Sequence, residues 1–130
     1  MKNQFVISTL LPATPQVVYK AWLDQNKHAR MIGAEAEISA EVDASFSIWE
    51  GYITGKNLAL EPWKRIVQSW RTTEFTDDEP DSRLEILLES TLDGTKLTII
   101  HSNLPDHGMQ YKQGWVENYF EPMKEYFKSS

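Results

Sequence analysis

A run of short alternating segments fills the middle of the chain and a single long helical face ends it, and that order leaves few architectures open. The stretches AEAEIS from Ala34, ASFSIWE from Ala44 and GYITGKNLALEP from Gly51 read as strands. So do KRIVQSWRTTEF from Lys64, SRLEILLES from Ser82 and TKLTIIHS from Thr95. They are rich in β-branched and aromatic residues and alternate in polarity. Asp93-Gly94 between the last two is a hairpin signal, and Pro62 and Gly51 punctuate the earlier ones. The acidic segment Thr76 to Asp81 reads as a solvated loop. From about Met109 to Phe127 the apolar residues Trp115, Val116, Tyr119, Phe120, Met123, Tyr126 and Phe127 recur three and four apart, so one broad face of a helix is apolar. Pro122 falls inside that pattern and is expected to kink it.

Before the first alternating segment, Phe5 to Leu11 reads as a strand. Thr14-Pro15 then supplies an N-cap and a first helical residue for a helix over about Pro15–Leu23. Asp24 or Asn26 caps a second short helix that ends at Gly33. The expected layout is α+β: a curved antiparallel sheet of about six strands around a long C-terminal helix, with two short helices after the first strand. Residues 1–130 are near the modal size for a domain and are expected to form one.

Composition narrows the function. The net charge is −6 and the thirteen Lys and Arg are scattered, which argues against nucleic acid and against an anionic membrane surface as partners. No cysteine is present, so disulfides and thiolate chemistry are ruled out. The first fifteen residues lack the long apolar run of a signal peptide and no segment is long and apolar enough for a membrane span. A cytoplasmic location without membrane insertion is the expectation.

Several residue sets resemble a known family. They are VYKAWLD at Val18–Asp24, FSIWEGYITGKNLALEPWKRIVQSWR at Phe46–Arg71, TKLTIIHSNLP at Thr95–Pro105 and QGWVENYFEPMKEYF at Gln113–Phe127. In order and spacing they are similar to the helix-grip domains of the START-like (SRPBCC) superfamily, and within it to the domain of the activator of heat-shock-protein ATPase. Asp43, Ala44 and Ser45 stand where that family usually has a glycine pair, so the turn before Phe46 must be built differently. The eukaryotic co-chaperones of the family carry a separate N-terminal chaperone-binding domain, for which 130 residues are not expected to leave room.

The resemblance implies an elongated apolar cavity between sheet and helix. The residues expected to line it are Met31, Phe46, Ile48, Trp70, Leu84, Ile86, His101, Trp115, Tyr119 and Met123, and a one-residue slip in register would turn the strand members outward. Five tryptophans are an unusual load. Trp22 and Trp63 read as core or edge filler. Trp70 and Trp115 fit cavity wall and solid core equally well, and Trp115 with Tyr119 would also suit a dimer face, so monomer and homodimer both stay open.

Of the three histidines, His28 is expected on an exposed helix and His107 in a loop. His101 sits at the strand end where the resemblance places the cavity mouth, although a solvated strand-end histidine explains it as well. No two have the spacing of a zinc motif, and no catalytic residue, metal or cofactor is expected. Gly51 and Gly55 read as a turn and a bulge rather than a phosphate loop.

Three functions follow as expectations. The first is non-catalytic binding of a small apolar or amphipathic ligand, including lipids, in the cavity. The second is a chaperone-interacting, co-chaperone-like surface with a role in the stress response. The third is a cyclase- or aromatase-type enzyme that uses the same cavity.

Overall fold

The computed structural model describes residues 3–129. Strands β1 (Asn3–Leu11), β2 (Ala36–Glu37), β3 (Ser45–Ile48), β4 (Ile53–Glu61), β5 (Arg65–Thr72), β6 (Ser82–Thr91) and β7 (Gly94–Leu104) form one sheet of order β1-β7-β6-β5-β4-β3-β2. Neighbouring strands pair antiparallel throughout. Among the described residues the sheet has seven strands, matching the segments that read as strands in the sequence, and AEAEIS contributes only the two-residue β2.

Local chemistry sets the two short helices. Thr14 Oγ1 accepts from Val17 N at 3.3 Å and Pro15 opens α1 (Pro15–Leu23). Asp24 Oδ1 accepts from Lys27 N at 2.9 Å to cap α2 (Gln25–Ile32), and Gly33 ends it at φ 70°. Both ends match the cap signals in the sequence.

The final helix is composite. A 3-10 turn (Asp106–Gln110) leads into α3 (Tyr111–Trp115), then a π-helical turn (Val116–Phe120), then α4 (Glu121–Ser129). Pro122 acts here as more than a kink. It has no N–H, and in a regular helix its ring would crowd the carbonyl four residues back. The turn before it is widened, with Glu121 N bonded to Val116 O, five residues earlier. Such wide turns concentrate at functional sites, and this one carries Asn118 and Tyr119.

Strict alternation decides which strand residues face the helix. Phe46 and Ile48 of β3, Ile66, Trp70 and Thr72 of β5, Leu84 and Ile86 of β6, and Leu97, Ile99 and His101 of β7 are all buried. Their neighbours Glu85, Leu87 and Arg71 are partly solvated on the outer face, where Arg71 pairs with Asp81 at 2.8 Å. The bulge in β4 falls between Asn57 and Ala59, not at Gly55. Gly55 is needed for close approach instead: a Cβ there would overlap Ser69 O and stand 2.8 Å from the Phe46 ring.

The departure around Asp43 is resolved by an asparagine. Asp43 adopts φ 70° without a glycine. Asn57, fully buried, holds that loop by donating from Nδ2 to Ser39 O at 2.8 Å and Glu41 O at 2.9 Å. Its Oδ1 accepts from Gln68 Nε2 at 2.9 Å, so the loop is tied to β5 through a satisfied polar pair.

Candidate functional site

Inside the grip, aromatic rings pack edge to face or tilted. Trp70 meets Tyr111 at 4.9 Å and Trp115 at 5.8 Å between centroids, Trp115 meets Tyr119 at 4.8 Å, and Trp22 meets Tyr119 at 5.1 Å. These are favourable geometries for ring pairs.

Two of the histidines lie inside this cluster: His28 against the expectation of an exposed helix, and His101 buried rather than at a solvated strand end. His28 is 1% exposed and His101 is 0% exposed. His28 is at the inward side of α2, and His101 points inward by the β7 alternation, which extends three residues past it to Leu104. A charge at either place would be costly, and burial pulls their pKa values down to about 4 for His28 and about 3 for His101. A hydrogen bond to the backbone carbonyl of Trp22 opposes the shift at His28 without cancelling it.

The hydrogen bonds fix each tautomer. Trp22 O can only accept, so His28 Nδ1 donates to it at 2.7 Å, leaving Nε2 to accept from the Tyr119 hydroxyl at 2.7 Å. Burial raises the Tyr119 pKa and keeps that phenol a donor. His101 is the reverse: Nδ1 accepts from Trp115 Nε1 at 3.0 Å and Nε2 donates to Ser82 Oγ at 2.8 Å. Ser82 Oγ in turn donates to Trp70 O at 2.6 Å. Trp115 and Tyr119, one turn apart, thus bolt the last helix to β7 and to α2. Among the described residues, Trp22 Nε1 is a buried side-chain donor without a hydrogen-bond partner.

The expected elongated cavity is largely filled by these rings. Trp22, His28, Phe46, Trp70, Trp115 and Tyr119 help to enclose an internal void of only about 10 Å³. The usable space lies at the mouth: a cleft of about 190 Å³ between the β3–β4 hairpin and the last helix. Trp49, Tyr52 and Ile53 form its sheet side, Gln110, Tyr111, Gly114 and Asn118 its helix side, and Trp70, Trp115 and Tyr119 its floor. The space exceeds the roughly 150 Å³ of a cavity known to hold one benzene ring. Larger depressions of about 510 and 600 Å³ lie over the outer surface, but each has only one aromatic residue, Phe46 and Tyr126 respectively.

The hairpin is strained to form this wall. Trp49 and Glu50 adopt φ 54° and 53°, a region that bulky side chains rarely occupy. Trp49 N donates to Glu35 O at 2.8 Å and Tyr52 O accepts from Thr73 N at 3.0 Å, which hold the turn in place. At the rim, Glu74 gathers three donors: Tyr52 Oη at 3.0 Å, Tyr111 Oη at 3.3 Å and Gln110 Nε2 at 3.2 Å. Tyr111 also meets Thr72 Oγ1 at 2.6 Å, and burial lifts its pKa to about 12.

The sequence-derived lining residues are distributed as follows. All are buried. Trp70, Trp115 and Tyr119 reach the cleft; Phe46, Ile48 and Leu84 line the small void and not the cleft; Met31, Ile86, His101 and Met123 line neither of these two spaces. Trp49, Tyr52, Ile53, Gln110, Tyr111, Gly114 and Asn118 were not anticipated. Tyr111, Gly114, Trp115 and Asn118 are spaced as one helical face, which is the signal that would have found them.

A curved antiparallel sheet closed over a composite C-terminal helix, with an aromatic cleft at one mouth, is a helix-grip domain. The chain belongs to the family described as activator of Hsp90 ATPase homolog 1-like protein, whose family model matches residues 12–128. It is 26% identical over 121 residues to an activator of 90 kDa heat shock protein ATPase homolog from Dictyostelium discoideum, which covers 90% of this chain and 31% of that protein. The chain thus spans about a third of the length of the curated relatives it matches. Among solved structures it resembles an HSP90 activator from Plasmodium falciparum, with TM-score 0.84, 24% identity and 94% of each chain covered. A Mesorhizobium loti protein superimposes with TM-score 0.82 at 19% identity, covering 98% of each chain. Among the described residues no helix is long and apolar enough to cross a membrane.

Proposed function

We propose that the chain binds a small apolar or amphipathic molecule, without catalysis, in the cleft between the β3–β4 hairpin and the last helix. The observation that carries this reading is the cleft itself: about 190 Å³ with six aromatic residues among its ten lining residues. Removing a single ring from water there supplies about 25 cal/mol per Å² of apolar area, less the cost of association. A ligand of about ten heavy atoms at about 0.5 kcal/mol per atom would bind with a Kd on the order of 100 µM.

The polar groups support binding over turnover. His28, His101 and Tyr119 spend their hydrogen bonds on protein partners, and both histidines are held neutral by burial. A cyclase- or aromatase-type mechanism would need such a group free to face a substrate.

Gly114 provides the test. A Cβ at that position meets only Asn118 Nδ2, at 3.8 Å, so a side chain can grow into the cleft without disturbing the core. Gly114→Leu should raise helix stability by about 0.5–1 kcal/mol and abolish binding of one-ring amphiphiles detected by tryptophan fluorescence. Binding unchanged by that plug would remove the cleft as the site.

A second reading rests on the family: a co-chaperone-like contact, as the names of its relatives suggest for those proteins. It predicts that adding this chain changes the turnover of a 90 kDa heat-shock-protein ATPase from the same cell. An unchanged rate at saturating chain would reject it.

A further inference from the structure

The lining of the cleft selects by charge as well as by shape. Six of its ten lining residues are aromatic and none is Lys or Arg. An aromatic ring carries negative potential on its face and attracts a cation within about 6 Å of its centroid. Three of the rings, Trp70, Trp115 and Tyr119, form a contiguous floor with centroid spacings of 5.8 and 4.8 Å, and Trp49 stands 6.4 Å from Tyr119.

A carboxylate is bonded to three of the lining residues. Glu74 is exposed and accepts from the hydroxyls of Tyr52 and Tyr111 and the amide of Gln110, all of which line the cleft. These bonds hold a formal negative charge at the rim, and among the described residues no basic side chain is bonded to it. Arg71, the nearest cation in sequence, is engaged with Asp81 and with the carbonyls of Thr76 and Glu79. The net charge of −6 adds a long-range field of the same sign. An anion such as a fatty acid would meet no donor pair of positive charge here and would be repelled at the rim.

We propose that the ligand of this cleft is a small organic cation, a protonated or methylated ammonium carrying about one ring. Its ammonium group sits against the tryptophan and tyrosine faces, with Glu74 at the rim. This rests on the binding reading given above and specifies its ligand class.

Three probes of nearly equal size separate the cases: phenyltrimethylammonium, its neutral isostere tert-butylbenzene, and benzoate. Each is titrated into the intact protein and followed by tryptophan fluorescence. The cation is expected to bind roughly tenfold tighter than the neutral isostere, and benzoate weakest. Glu74→Gln removes the charge and keeps one of the two acceptor oxygens at the rim, and it should weaken the cation by roughly two- to fivefold more than the neutral isostere, as suits an exposed charge. Equal or tighter binding of tert-butylbenzene would overturn the charge selection and leave an apolar site standing. Failure of all three probes to bind would overturn both the charge selection and the binding reading.

Discussion

Lowering the pH from 7.5 to 5 should destabilise this protein by about 4 kcal/mol, and the two buried histidines account for it. Each has its folded-state pKa depressed below the ordinary value of 6.5, to about 4 and about 3. Above pH 6.5 both states hold neutral imidazoles and the full stability is present. As pH falls below 6.5 the unfolded chain takes up protons that the folded chain refuses, so stability declines until the folded pKa values are reached. At pH 5 each site has lost roughly 2 kcal/mol, and this figure is insensitive to how far below 5 the folded pKa lies. The slope near pH 5 approaches two protons, about 2.7 kcal/mol per pH unit. Urea denaturation at several pH values measures it directly. His101→Gln should halve the slope whatever its effect on stability at pH 7.5. Stability constant to within about 1 kcal/mol across this range would refute the placement of both rings in the core.

Three substitutions probe the framework around the cleft. Tyr119→Phe leaves His28 Nε2 buried without a donor and should cost about 1–3 kcal/mol, lowering Tm by several degrees in calorimetry. Gly55→Ala forces a Cβ onto Ser69 O and the Phe46 ring and should cost more than about 3 kcal/mol, enough to abolish soluble expression or lower the urea midpoint sharply. Asn57→Ala removes two loop-holding donors and strands Gln68 Nε2, for an expected loss of about 2–4 kcal/mol by urea denaturation, with faster amide exchange around Asp43.

The sequence made the elements legible because their signals are local. Thr14-Pro15, Asp24 and Gly33 act within a few residues, and the structure uses each as its chemistry suggests; Asp93-Gly94 marks the β6–β7 turn, whose two central residues are Leu92 and Asp93 with Gly94 paired to Thr91. Alternation sent Phe46, Ile48, Trp70, Leu84 and Ile86 inward because a strand has only two faces. What stayed hidden depends on contacts across the chain. His28 reads as solvated, and His101 fits cavity wall and solvated strand end alike, because nothing nearby in sequence announces Tyr119, Trp115 or Ser82 as partners. The cavity expected from the resemblance also shrank, since five tryptophans can line a space or fill it and only their packing decides. Here Trp22, Trp70 and Trp115 fill the interior, and the remaining space moves outward to Trp49. Pro122 announced a disruption, but the wide turn it produces relies on the carbonyl at Val116 and is not visible in a periodicity.

The central claim is that small molecules bind at the hairpin-to-helix cleft, and the indole signals of the five tryptophans report on it separately. In a nitrogen-15 NMR titration with phenyltrimethylammonium and a panel of neutral one-ring amphiphiles, at least one compound should shift the indole resonances of Trp49, Trp70 and Trp115. Trp63, 41% exposed beside Tyr19 of α1 and outside the cleft lining, should stay unmoved. Shifts confined to Trp63, or no shift in any indole with any compound, would contradict the account.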